Sequence, residues 1–182
     1  AEKMLTTRDL RRMYWRSTFL LGSFNFERMQ AMGFCYTLMP AIRKFYRDDK
    51  SAQAAALKRH LEFYNTHPWV SSVVFGVTAA MEEQKAKGEE ISEETITSVK
   101  VGLMGPLAGV GDPIFWGTAR PVLAALGASL ALNGSIVGPL LFFVGINLLR
   151  VLTRWYGLKF GYERGTEMVT EVGGGQLKKI TQ

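Results

Sequence analysis

Asn25, Glu27, Arg28 and Gln30 place a carboxylate, two amides and a guanidinium within six residues, interleaved with Phe24 and Phe26. Carboxylates and amides exchange hydrogen bonds with hydroxyl groups, and aromatic faces stack on C–H-rich rings. That mix suits a polyhydroxylated ligand such as a sugar. Glu27 and Arg28 are the only charges between Arg16 and Arg43, so an interhelical ion pair at a membrane interface is the competing reading. A metal suits the cluster less well, because no histidine or second carboxylate stands near it in sequence. Asp112 is the fifth candidate for ligand binding, a lone acid in an apolar, glycine-rich stretch. Such an acid marks a polar path or ligand site. Asp112 before Pro113 also has the form of a helix N-cap with proline at the first helical position.

Other chemistry finds little footing. His60 and His67 lack the spacing of a metal pair, and no Ser/His/Asp or Cys/His arrangement is readable. His60, in Lys58-Arg59-His60-Leu61-Glu62, reads as a helix-surface residue. Cys35 alone forms no internal disulfide and no multi-cysteine zinc site, and is expected to pack as a small apolar residue. Gly109-Val110-Gly111 is a GxG, but it lacks the third Rossmann glycine, the Lys-Ser/Thr of a P-loop and any preceding strand pattern. No catalytic residue, metal or cofactor is therefore assigned.

These residues need elements to hold them, and the strongest element signal is a gap in charge. Between Arg120 and Arg150 lie 29 uncharged residues, broken in the middle by Asn133-Gly134-Ser135. One continuous helix of that length would measure roughly 44 Å, longer than a hydrocarbon core of about 30 Å. The break leaves two arms of roughly 18–21 Å, each too short to span alone. The pattern predicts a hairpin that dips into the bilayer and returns both arginines to one side, the kind of broken segment that holds transporter substrate sites. Five glycines and two prolines from Val101 to Gly117 argue against a straight helix there.

A mean hydropathy of only +0.04 hides this pattern because the charge is segregated. Residues 51–100 carry five basic and seven acidic side chains, and residues 101–150 two arginines and one aspartate. A water-exposed middle followed by a membrane-embedded stretch is expected. The net charge of +6 is concentrated towards the ends. Arg8, Arg11, Arg12 and Arg16 interleave with Leu10, Met13, Tyr14, Trp15 and Phe19, the pattern of a basic helix with aromatic anchors at a cytoplasmic membrane face. Arginine with tryptophan can also grip nucleic acid, but no motif of such a fold follows. The first residues are polar, so no cleavable signal peptide is visible.

The local signals then give a helix from about residue 8 capped by Thr6 or Thr7, and an apolar stretch from Ser17 to Ile42 interrupted at 22–30 and closed by Pro40 and the basic pair Arg43-Lys44. A helix capped by Ser51 runs to about Tyr64 with Leu57, Leu61 and Tyr64 on one stripe, and another covers Trp69 to Glu83. Ser92 caps the next.

Three segments carry a family resemblance: Gly22 through Gln30, Arg59 through Pro68, and Lys100 through Gly117. They closely resemble the IID component of the mannose/fructose/sorbose-type bacterial phosphotransferase system, in order along nearly the whole chain, and Gly173-Gly174-Gly175 also fits. The resemblance implies a subunit that joins a IIC partner in the membrane part of a hexose permease. There the sugar is phosphorylated as it enters, by phosphohistidines on IIA and IIB. It also implies oligomers and docking of some bacteriocins, and no phosphoryl-carrier role for His60 or His67. Family members continue past the equivalent of Gln182 into a further hydrophobic region, so residues 156–182 are expected to be a C-terminal segment cut before it.

The expected fold is all-α and membrane-embedded, with broken or re-entrant helical hairpins and a soluble-facing helical middle. Residues 1–50 form the basic amphipathic helix and first broken apolar segment, 51–100 the polar helical region, and 101–155 the membrane core hairpin. The expected function is that of a permease subunit in the bacterial cell membrane, contacting membrane lipid, a IIC subunit, IIAB carriers and a hexose, with no nucleic acid. Asn25, Glu27, Arg28, Gln30 and Asp112 are its substrate-binding candidates. The alternative is a structural subunit that stabilises IIC without touching sugar.

Overall fold

The computed structural model describes residues 3–175, with side chains to 165 and at 167; residues 176–182, including Lys178 and Lys179, lie outside the described residues. Every named element is helical: α1 (Thr7–Ser17), α2 (Ala31–Phe45), α3 (Lys50–Arg59), α4 (Ser71–Ala86), α5 (Glu93–Gly111), a π-helical segment (Asp112–Ala119), α6 (Arg120–Leu132) and α7 (Val137–Gly175). Only isolated backbone bridges, Asn25 with Met29 and Met29 with Tyr64, have strand-like pairing among the described residues.

The caps explain most of the starts. Thr6 and Asp9 form a reciprocal capping box on α1, and Ser92 accepts from the Thr95 amide to begin α5. Asp49, not Ser51, caps α3, which ends at Arg59; Leu61 and Tyr64 therefore lie beyond it in extended and turn backbone. Pro40 lies inside α2, and the helix ends at Phe45, just past Arg43 and Lys44. Lacking an N–H, the proline leaves the Tyr36 carbonyl without its intrahelical donor, and Arg16 Nη1 from α1 supplies one at 3.2 Å.

The glycine- and proline-rich stretch stays helical throughout, contrary to the local propensities. Pro113 cannot bond the carbonyl four residues back, and the backbone shifts to wider π geometry, with the Arg120 amide reaching Phe115 O. Asp112 is consequently not an N-cap: its φ and ψ of −63° and −50° are helical, and the π segment has no side-chain cap.

The hairpin at 120–150 is present. α6 and α7 run side by side from the turn at Asn133-Gly134, where Gly134 has φ +74°. Its arms are the ends of longer helices rather than short isolated pieces, with residues 93–132 and 137–165 each long and apolar enough to cross a membrane. In the most apolar parts of these two runs only 6% and 11% of residues are buried, leaving Val122, Leu126, Leu140, Phe143 and Leu148 outward.

The middle of the chain is less water-facing than its charge suggested. α4 is the centre of the molecule, buried from Ser71 to Gln84 except at Val73. It packs on α7 through glycines: a Cβ on Gly76 would lie 2.7 Å from the Gly161 carbonyl carbon, and one on Gly165 2.8 Å from Ala80 Cβ. Gly157, Gly161 and Gly165 thus form a small-residue stripe on α7 that brings backbone against backbone. Phe34, Leu38, Tyr64, Val74, Phe75, Leu158 and Tyr162 fill the core around this crossing.

Candidate functional site

The segment 22–30 is a built turn. Asn25 Oδ1 accepts from the amides of Glu27 (3.1 Å) and Arg28 (2.8 Å), and the Asn25 and Met29 backbones pair in both directions. Met29 adopts φ +54°, a left-handed conformation that a side chain this long tolerates only when neighbours hold it. The neighbours here are backbone bonds from Gln30 N to Tyr64 O at 2.8 Å and from Tyr64 N to Arg28 O at 3.4 Å. The Gln30 amide then grips Thr66 twice, donating to its carbonyl at 3.0 Å and accepting from its N–H at 3.3 Å.

The five candidates separate into two groups. Gln30 is buried with its amide engaged in that pair of hydrogen bonds, and the Asn25 carbonyl oxygen is spent inside the turn. Glu27 and Arg28 point outward, 3.8 Å apart, beside Phe24 and a Phe26 that is 90% exposed. Asp112 is exposed at the start of the π segment, close enough to His67 to act on its charge. The route between the two groups is continuous: Gln30 holds Thr66, Thr66 Oγ1 donates to Met104 O on α5 at 2.8 Å, and Gly111 packs against the His67 ring. A groove of about 500 Å³ opens beside this junction, lined by Glu62, Phe63, Asn65, Val101, Met104 and Gly105 among others. It repeats the carboxylate, amide and aromatic combination and was not singled out from sequence.

The histidines differ from expectation. His60 is buried rather than on a helix surface, because α3 ends at Arg59 and turns the next side chain inward. Its Nε2 lies 2.7 Å from Glu82 Oε1, and the same carboxylate receives Arg59 Nε at 2.8 Å and the Tyr46 hydroxyl at 2.7 Å. Burial alone would push the Glu82 carboxyl up, but hydrogen bonds from His60 and Tyr46 and the Arg59 charge outweigh it and hold the group below its ordinary range. Burial, aided by the nearby Lys100 and Arg59 charges, pushes His60 down despite Glu82. A neutral imidazole with its proton on Nε2 fits this, since the buried Nδ1 has no donor or acceptor to meet. Arg59 also pairs with Glu93 at the head of α5. This network was legible only as Glu82-Glu83 in an otherwise apolar run, and it ties α2, α3, α4 and α5 together.

His67 Nδ1 accepts from the Trp69 amide at 3.2 Å, and its ring sits among Trp69, Phe115 and Trp116 at centroid distances of 4.7–5.6 Å. Cys35 is buried as expected, with Sγ 3.5 Å from Leu57 O. Among the described residues no group of three histidine, cysteine or carboxylate side chains could hold a metal ion.

Comparison with known proteins agrees with this architecture. The profile of the PTS system mannose/fructose/sorbose family IID component matches residues 4–182. The mannose-specific EIID component of Escherichia coli K12 is 56% identical across the full chain, which spans 64% of that relative. The fructose permease IID component of Bacillus subtilis 168 is 57% identical, with 66% of its length spanned. Among solved structures, the cryo-EM complex of the mannose transporter ManYZ with microcin E492 superposes with a TM-score of 0.91 at 56% identity, over 99% of this chain and 66% of the other. The chain thus spans about two thirds of the length of the curated relatives it matches. With a profile match over almost every residue, the chain belongs to the mannose/fructose/sorbose family of PTS system IID components.

Proposed function

We propose that this chain is the helical body and membrane hairpin of a IID subunit that joins a IIC partner in the bacterial cytoplasmic membrane. Together they form a hexose translocation unit whose cargo is phosphorylated by IIA and IIB carriers. The observation that supports it best is the hairpin surface: two long apolar runs with almost nothing packed on them need lipid or another subunit to cover them. Family membership supplies the sugar and phosphocarrier side of the reading, and likeness to a transporter solved with a microcin extends it to bacteriocin docking.

Within that unit Glu27 and Arg28, presented on a rigid turn beside Phe24 and Phe26, are the side chains exposed to meet sugar, Arg28 with one guanidinium nitrogen already donating to the Leu61 carbonyl at 3.4 Å. Asn25 and Gln30 shape the turn, and Asp112 lines the path near the π segment. Glu27→Gln is expected to lower uptake at least severalfold while leaving assembly with the partner intact, as measured by transport kinetics and co-purification of the full-length protein. Unchanged kinetics remove Glu27 from the site. The engaged amides of Asn25 and Gln30 favour the second reading, a structural subunit that touches no sugar. A crosslink from residues 22–30 to a photoreactive sugar separates the two.

A further inference from the structure

Two hydrogen-bond sets fix how α1 lies on α7. At one end the Leu5 amide donates to the Tyr162 hydroxyl at 3.1 Å. At the other, Arg154 Nη2 donates to Tyr14 O, Ser17 Oγ and Thr18 Oγ1 at 2.9, 2.6 and 3.0 Å. The helix therefore runs antiparallel to α7. Its N-terminal end is farther from the apolar hairpin, and its C-terminal end reaches Arg154, where the charge-free part of α7 begins just beyond Arg150.

The outward ridge of α1 is graded along that direction. Arg8, Arg11, Arg12 and Trp15 fall on one face of α1 by three- and four-residue spacing, Phe19 follows in the turn after it, and all five are exposed, Trp15 by 68% and Phe19 by 63%. The arginines occupy the end away from the hairpin and the aromatics the end beside it. The one acid in the helix, Asp9, is taken by Lys44 at 2.6 Å, and none of the three arginines has an ion-pair partner among the described residues. From Trp15 back to Arg8 is about 10 Å along α1, enough to carry the arginines from the acyl boundary through a headgroup layer of about 5–7 Å.

We propose that this ridge is a binding face for anionic phospholipid headgroups, with Arg8, Arg11 and Arg12 paired to lipid phosphates and Trp15 and Phe19 seated at the acyl boundary. Net positive charge with no internal partner, the aromatic order and continuity with the exposed hairpin surface favour lipid over an acidic protein as the occupant. The inference rests on the membrane reading above but not on sugar handling.

The test is competition between phosphatidylglycerol and phosphatidylcholine for the full-length protein with its IIC partner, reconstituted in mixed vesicles, with retained lipid measured by mass spectrometry. The wild type should retain phosphatidylglycerol preferentially. Preference should fall about fivefold for each arginine neutralised in Arg8→Gln, Arg11→Gln and Arg12→Gln, and return in the corresponding lysine variants. Equal preference in wild type and the triple glutamine variant overturns the proposal. So does an unchanged preference accompanied by slower phosphorylation from the cytoplasmic carriers, which would make the ridge a protein dock. A complex that holds no lipid at all overturns the membrane reading as well, which separates the two failures.

Discussion

Gly161→Ala tests whether backbone-to-backbone contact of α4 and α7 holds the molecule together. An added Cβ would lie 3.0 Å from the Val73 carbonyl carbon, 3.1 Å from Val73 Cα and closer still to the Val73 carbonyl oxygen. Ordinary contact is 3.4 Å or more, and the obstructing atoms belong to a helix backbone that cannot rotate aside. Overpacking of this kind costs about 1–3 kcal/mol, and a rigid neighbour places this site at the upper end. Alanine returns about 1 kcal/mol through its better helix propensity. The net expectation is a loss of about 2 kcal/mol. Gly76 faces the same crossing, so Gly76→Ala with Gly161→Ala should cost less than the two separately, because the first substitution already parts the helices. Unfolding of the full-length protein in mild detergent, followed by tryptophan fluorescence, measures each variant. If Gly161→Ala is as stable as wild type, or if the two losses simply add, the close crossing is not what secures the core.

His60 and His67 are both held below the ordinary histidine value of 6.5, chiefly by burial, so each remains neutral when folded while the unfolded chain takes up a proton. Their contribution is complete above pH 6.5 and declines as pH falls through that value, by at most about 1.4 kcal/mol per pH unit for each. Glu82 is depressed from 4.5 and loses its contribution only at lower pH, so His60→Gln should flatten a stability profile taken between pH 6.5 and 4.5; an unaltered slope would contradict the neutral assignment. A Cβ at Gly102, Gly105 or Gly109 meets no atom within 4 Å. Gly105→Leu should accordingly leave the isolated subunit at least as stable, with a gain of up to about 1 kcal/mol from helix propensity, and weaken co-purification of the IIC partner severalfold; full recovery of partner would place the interface elsewhere.

Much of the helical layout was open to reading because it depends on short-range signals. Thr6 with Asp9 and Ser92 with Thr95 cap where the residue types say they should, and Asn133-Gly134 turns the hairpin as an uncharged run with one break requires. The errors came where distant partners overrule local preference. Pro40, read with Arg43 and Lys44 as the close of an apolar stretch, sits inside a helix, because Arg16 supplies the donor that the Tyr36 carbonyl lacks, from twenty residues away. The Val101–Gly117 glycines looked disruptive, and a π segment absorbs the strain within a helix. His60 looked exposed because its neighbours are charged, yet Arg59 and Glu82 neutralise one another inside the body. The turn at 22–30 was recognisable by composition, but nothing local distinguishes the outward Glu27 from the inward Gln30. That difference is set by Thr66, 36 residues on.

Arg154 fastens the end of α1 across 140 positions of sequence, and Tyr162 fastens its beginning across 157. During synthesis the first helix can pack on α2 early, through Lys44 to Asp9 and Arg16 to the Tyr36 carbonyl, but the two end anchors come much later. The two ends of the N-terminal helix are then among the last contacts to form, after the hairpin has been threaded, and a truncation ahead of residue 154 would leave the Tyr14 carbonyl without the Arg154 guanidinium.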